Sequence, residues 1–232
     1  MRPHIRSLVR TSELIFDFPQ SIVEIGSYQV SGQEDIADMR SFFDGKTYIG
    51  CDMRKGKGVD RIEDIEKLSF GNETVGTVLL LDTLEHVKDP LCAMEEVSRV
   101  LLPDGYAILT SVMDFPIHDF PFDYWRFTPE AFNHLCSKFP KRAVVSWGNP
   151  EFPHTLISIA SKSGKKNHFD EDIEELIKTL PTFKPYTMKV KAKLILAKRL
   201  RMYETIEKLK HINRISFNVY YEEKIVKSGE RA

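Results

Sequence analysis

Over the first 161 residues, short apolar runs alternate with amphipathic segments. Ser21 to Gly26 (SIVEIG) is a β-branched run stopping at a glycine, as a buried strand does before its loop. Gln33 to Phe43 places Ile36, Met39 and Phe43 at spacings of three and four, which predicts a helix ended by Asp44-Gly45. Thr47 to Cys51 is a second strand, and a third, short and charged, falls within Gly58 to Ile62. Thr77 to Leu81 (TVLLL) is apolar throughout, so both its faces should be covered. Pro90 to Leu102 begins with a proline, carries Leu91, Met94, Val97 and Leu101 on one face, and pairs Glu95 with Arg99 at i,i+4. Pro103-Asp104-Gly105 ends it. Tyr106 to Val112 is a further strand, Pro129 to Phe139 a further helix, and Arg142 to Trp147 with Thr155 to Ser161 a closing hairpin. Strands alternating with helices at this spacing predict an α/β fold, a parallel sheet between helices joined by right-handed crossovers.

Beyond Lys162 the pattern changes. A polar linker leads to a short acidic helix, Glu171 to Leu180, and prolines 181 and 185 break the chain again. Tyr186 to His211 has a long helical pattern with Leu196, Leu200, Tyr203, Ile206 and Leu209 near one stripe. The expected organisation is therefore a domain over residues 1–163 and a helical, basic extension over 164–232. Charge sharpens this division. The 232 residues hold 33 basic and 34 acidic side chains, a formal charge of -1, yet 13 basic and five acidic residues fall between Pro181 and Ala232. An acidic body of -9 carries a basic tail of +8. Overall basicity is not available to bind nucleic acid, and nothing else in the sequence points to it. The basic segment reads either as a solvated face over a homo-oligomer or intrachain contact, or as a weak contact with an anionic membrane surface. Three scattered cysteines make neither a disulfide framework nor a zinc pair. The N-terminus lacks a signal-peptide core and no run of about 18 apolar residues occurs, so a soluble, cytoplasmic protein is expected.

In an open parallel sheet, ligands sit beyond the carboxyl ends of the strands. Those ends here read Glu24-Ile25-Gly26-Ser27, Cys51-Asp52-Met53, Glu63-Asp64-Ile65 and Asp82-Thr83-Leu84-Glu85-His86, so each contributes a carboxylate to one rim. A glycine after the first strand allows close backbone approach, and an acid after the second can accept from both hydroxyls of a ribose. No GxxxxGK[ST] run is present to hold a triphosphate. The rim suits an uncharged or cationic nucleoside.

In this order, EIGS, CDM, EDIEKLSF, LLLDTLEHVKDP and EVSRVLLPDGYAILTSV resemble the class I S-adenosylmethionine-dependent methyltransferases of the small-molecule branch, over about residues 20 to 161. The resemblance implies a Rossmann-like fold with a mostly parallel seven-stranded sheet and S-adenosylmethionine as cofactor. It implies that Glu24, Gly26, Ser27 and Tyr28 face the methionine part, Asp52 the ribose and Met53 the adenine. Asp64 and Ile65 would lie at the adenine amino group, and Asp82, Leu84 and His86 at the methionine end. One departure stands out: the family's GxGxG has Tyr28 and Val30 at its second and third glycine positions, with Gly32 following. A tyrosine there requires a different loop path or obstructs the site.

Asp114 to Thr128 (DFPIHDFPFDYWRFT) is an aromatic loop on the acceptor side. His118 and Tyr124 are its candidate catalytic groups, His118 as a general base. Trp125 and Arg126 are candidate substrate contacts, although the pair can equally brace the loop by stacking. The expected activity is methyl transfer to oxygen or nitrogen of a small molecule or saccharide, with no metal. A catalytically silent cofactor-binding protein is the alternative. A nicotinamide oxidoreductase is disfavoured by the missing GxGxxG.

Overall fold

The computed structural model describes residues 3–32, 34–119, 121–149, 152–164, 168–180, 215–221 and 224–231. The chain begins with helix α1 (Pro3–Phe16), then strand β1 (Ile22–Ile25), the single turn α2 (Glu34–Ala37) and a 3-10 turn at Arg40–Phe42. Strands β2 (Tyr48–Asp52), β3 (Arg61–Ile62) and β4 (Val75–Leu81) follow, then helix α3 (Pro90–Val100) running directly into β5 (Leu101–Val112). Helix α4 (Pro129–Leu135), strands β6 (Lys141–Asn149) and β7 (Phe152–Ser161), helix α5 (Phe169–Thr179) and strands β8 (Ile215–Tyr221) and β9 (Lys224–Arg231) complete it. The sheet order is β3-β2-β1-β4-β5-β7-β6-β8-β9. Strands β1 to β5 pair in parallel, and β7 is antiparallel to both β5 and β6.

Alternation along the strands divides the apolar side chains between two layers. Val78 and Leu80 of β4 join a core with Ala93, Met94 and Val97 of α3 and Phe132 and Leu135 of α4. Leu79 and Leu81 face the other way, onto Ile5, Leu8 and Val9 of α1 and Phe169, Ile173 and Leu176 of α5. Every residue of β4 is buried, as an apolar run with two covered faces requires.

Several expectations change. The helix predicted over 33–43 is interrupted because the Asp38 carboxylate accepts from the Arg40 backbone N–H at 3.0 Å, offering the backbone a local turn instead. The Pro103-Asp104-Gly105 signal is a bulge within β5, between Leu101 opposite Val75 and Tyr106 opposite Thr77. Leu91 faces solvent, and Arg99 pairs with Glu96 rather than Glu95, which reaches Lys138. The extension is helical over α5 but not over 215–221 and 224–231, where β8 pairs with β6 from Lys141–Tyr221 to Trp147–Ile215 and β9 pairs with β8. The open edge of β6 satisfies that backbone, so these residues continue the domain's sheet rather than a separate helical module. The helical pattern from Tyr186 to His211 lies outside the described residues. No helix among the described residues is long and apolar enough to cross a membrane.

Candidate functional site

The strand order reverses direction at β1, whose neighbours β2 and β4 lead away to either side, and the carboxyl ends of β1 and β4 therefore frame a crevice. Gly26 turns the chain there with φ +88°, and a Cβ on it would lie 2.4 Å from Thr83 Oγ1. The same Thr83 hydroxyl donates to Ile25 O at 3.0 Å, tying the two strand ends together. Glycine is thus required at 26 by both backbone conformation and space. Ser27 is buried and donates its hydroxyl to Cys51 O at 3.2 Å. Asp82 ends β4 at φ +53°, a left-handed conformation uncommon outside glycine, and Thr110 fixes its Oδ1 by a 2.9 Å hydrogen bond.

Glu24 and Asp52 are both buried. Burial pushes the Glu24 carboxyl up to about 7, offset in part by the Tyr48 hydroxyl, which donates to its Oε2 at 2.6 Å, and by the charge of Arg40. Asp52 accepts from the Arg54 backbone at 2.8 Å, from Arg54 Nε at 3.3 Å and from the Tyr28 backbone at 3.4 Å. Arg54 also reaches Asp119 of the aromatic loop at 3.4 Å and lies over the Tyr28 ring, 4.7 Å from its centre. The Tyr28 ring packs on Gly56, where a Cβ would lie 2.3 Å away. Met53 is exposed at the rim.

Other predicted positions are buried or held in local contacts. Leu84 and Ile65 are buried in the core, which leaves only their backbone to a ligand. Asp64 is exposed and its Oδ1 accepts from the Glu66 backbone at 2.9 Å, closing a local turn. Arg126 is half-buried, and its five N–H groups go to Asp123 twice and to the carbonyls of Phe115, Pro116 and Trp125. That is its full donor complement, and in this arrangement Arg126 braces the loop. Its fork holds the buried Asp123 carboxyl well below the usual carboxylate range.

The aromatic loop is seated on the turn after β4. Tyr124 and Trp125 donate backbone N–H groups to Glu85 O at 2.8 and 3.2 Å, and Trp125 Nε1 donates to Val87 O at 2.8 Å. Phe115, Ile117, Phe122, Tyr124 and Trp125 remain exposed around it, an apolar patch beside the crevice. His86 Nδ1 donates to Phe122 O at 2.8 Å and its ring meets that of His118, 4.7 Å between centroids. The sequence reading overlooked Tyr48, Arg54, Thr83 and Asp123. Only Asp123, three residues before Arg126 in a loop, carried a local signal.

Residues 41–109 match the family described as a methyltransferase domain. The fold is that of the class I methyltransferases. A Burkholderia thailandensis 1,6-didemethyltoxoflavin-N1-methyltransferase, solved with its acceptor and S-adenosylhomocysteine, superposes with a TM-score of 0.53 at 15% identity, covering 69% of this chain and 78% of that one. A putative methyltransferase from Bacillus halodurans gives 0.50 at 10% identity, covering 68% and 99%. No curated protein matches the sequence. Within the methyltransferase fold β1 to β7 form the seven-stranded sheet, and β8 and β9 widen it.

Proposed function

We propose that the chain transfers a methyl group from S-adenosylmethionine to oxygen or nitrogen of a small molecule or saccharide. The observation that carries this reading is the pairing of a methyltransferase-domain match with a buried carboxylate, Asp52, at the end of β2 beside the Gly26 turn. Asp52 accepts from the ribose hydroxyls, with Met53 against the adenine and the Glu24 to Tyr28 segment along the methionine. Asp82 and His86 lie at the methionine end, and Asp64 and Ile65 contribute at the adenine end. The cofactor's cationic sulfonium is matched by a rim of carboxylates. Transfer is an in-line displacement in which the acceptor forms a bond to the methyl carbon as the sulfonium bond breaks, leaving S-adenosylhomocysteine. Positioning supplies much of the rate of such a step. His118 and Tyr124 are the groups of the aromatic loop that can touch the acceptor, and Trp125 lines its path.

A second reading, a cofactor-binding protein without turnover, is favoured by one feature: Arg54 already occupies Asp52 while covering Tyr28. Calorimetry with S-adenosylmethionine, S-adenosylhomocysteine and NAD, followed by mass analysis of an acceptor screen, separates the two. Nucleoside binding with a gain of one methyl supports the enzyme, and binding without transfer to any acceptor supports the second reading. Binding of neither sulfur nucleoside sinks both.

A further inference from the structure

The turn after β4 and the loop after β5 bring one carboxylate and two imidazoles together. One ligand atom each from Glu85, His86 and His118 lies within 4.8 Å of the other two. We propose that these three residues bind a divalent first-row transition-metal ion, and that the ion takes a hydroxyl oxygen of the methyl acceptor. The acceptor clause rests on the methyltransferase reading, whereas the ion site stands on its own geometry.

Each histidine has its Nδ1 held by a backbone carbonyl. His86 Nδ1 faces the carbonyl of Phe122 at 2.8 Å, and His118 Nδ1 faces the carbonyl of Pro116 at 3.1 Å and Asp123 Oδ2 at 3.2 Å. A carbonyl only accepts, so each Nδ1 carries its hydrogen and the neutral ring keeps its lone pair at Nε2. Metal-bound histidines are anchored in this way, through the other ring nitrogen to a carbonyl or carboxylate. Asp123 is itself locked by the Arg126 fork, at 2.6 and 2.7 Å, and the Asp123 carboxylate also accepts from the His118 backbone at 2.8 Å. Glu85 is fully buried, its Oε2 accepts from the Ser111 hydroxyl at 2.8 Å, and its carbonyl receives the N–H groups of Tyr124 and Trp125. All three ligands are therefore held by a surrounding shell.

Two imidazoles and one carboxylate suit Zn2+, Co2+, Mn2+ or Fe2+, not Ca2+. Ligands about 2.1 Å from one ion lie about 3 to 3.5 Å apart, so movements of about an ångström close the set. Three protein ligands leave an open position, at the carboxyl ends of β4 and β5 beneath the exposed aromatic loop. A hydroxyl bound there loses its proton to solvent near neutral pH. Its oxygen then bonds to the methyl carbon while the sulfur keeps the pair of the breaking bond, giving a methyl ether, S-adenosylhomocysteine and one proton. An amine would lose its attacking lone pair to the ion, so the site selects oxygen acceptors, and His118 acts as a ligand rather than a base.

The full chain, stripped with chelator, is titrated with zinc by calorimetry and with cobalt by visible absorption. One ion per chain is expected, with His118→Ala and His86→Ala each weakening binding about 100-fold and Asp123→Asn about 10-fold. Thermal unfolding of the stripped variants checks their folding, and Glu85→Gln, which keeps the side chain's size, provides an independent ligand deletion. Absence of binding at about 1 mM ion, or binding unchanged in His86→Ala and His118→Ala, overturns the site. A parallel titration of the stripped protein with S-adenosylhomocysteine separates the two readings. Nucleoside binding without ion binding overturns this inference alone, whereas ion binding without nucleoside binding leaves the metal site and overturns the acceptor clause.

Discussion

Glu24 makes the stability of the protein depend on pH in a way that a single substitution isolates. Its carboxyl is buried on β1 and pushed from 4.5 up to about 7, because loss of solvent outweighs the Tyr48 hydroxyl bond and the Arg40 charge. A folded-state value above the unfolded one means that the folded chain holds the proton more tightly. The stabilisation is complete below the unfolded value, about pH 4.5, and is lost as pH rises through 7. The difference of about 2.5 pKa units corresponds to about 3 kcal/mol, of which about 2 to 3 kcal/mol falls between pH 5 and 8. Glu24→Gln keeps an acceptor oxygen for Tyr48 and does not titrate. Urea unfolding followed by circular dichroism at pH 5, 6, 7 and 8 should show wild type losing that much more stability than Glu24→Gln across the range. Parallel pH profiles for the two proteins would refute the burial argument. The same carboxyl provides a binding signature, since a cationic methionine end laid against it favours ionisation. Cofactor binding at pH 7 should release protons, read from calorimetry in buffers of different ionisation enthalpy, and Glu24→Gln should abolish the release.

The remaining predictions concern the crevice and the loop. Asp52→Ala should weaken S-adenosylhomocysteine binding at least tenfold by calorimetry, the loss of about one charge-assisted hydrogen bond. Arg54→Ala should act oppositely and strengthen it by a few-fold at most, because Arg54 is half-exposed and its pair with Asp52 is worth about 1 kcal/mol or less; weaker binding would show that Arg54 contacts the cofactor instead. Gly26→Ala places a Cβ 2.4 Å from Thr83 Oγ1 at a left-handed φ, so the midpoint of denaturation should fall by the equivalent of about 2 to 4 kcal/mol. Arg126→Lys cannot reproduce the fork on Asp123 and should cost about 2 kcal/mol while leaving nucleoside affinity intact; loss of that affinity would contradict its assignment to the loop scaffold.

What the sequence shows and hides follows from the range of the interactions involved. The buried strands were legible because both faces of a parallel strand are covered, so Thr77 to Leu81 had to be apolar throughout. Helix α1 carries Ile5, Leu8, Val9 and Phe16 on one buried face, a periodic signal diluted by the interleaved Arg6 and Arg10. Strand β8 was also readable: Ile215, Phe217, Val219 and Tyr221 alternate with period two, in a region whose lysines and arginines suggested a solvated helix. The candidate site divides in the same way. Positions fixed by backbone geometry at strand ends, Gly26, Asp52 and Asp82, can be placed by counting from each strand. The partners that set their chemistry come from across the fold: Tyr48 for Glu24, Thr83 for Gly26, Thr110 for Asp82. Asp123 shows the difference most sharply, since its three-residue spacing to Arg126 is visible while its contact with His118 depends on how the loop closes. The near-neutral total charge likewise conceals two arrangements that act separately. Acids are gathered at the ends of parallel strands, and basic residues are concentrated after Pro181, where β8 and β9 extend the sheet from the edge of β6.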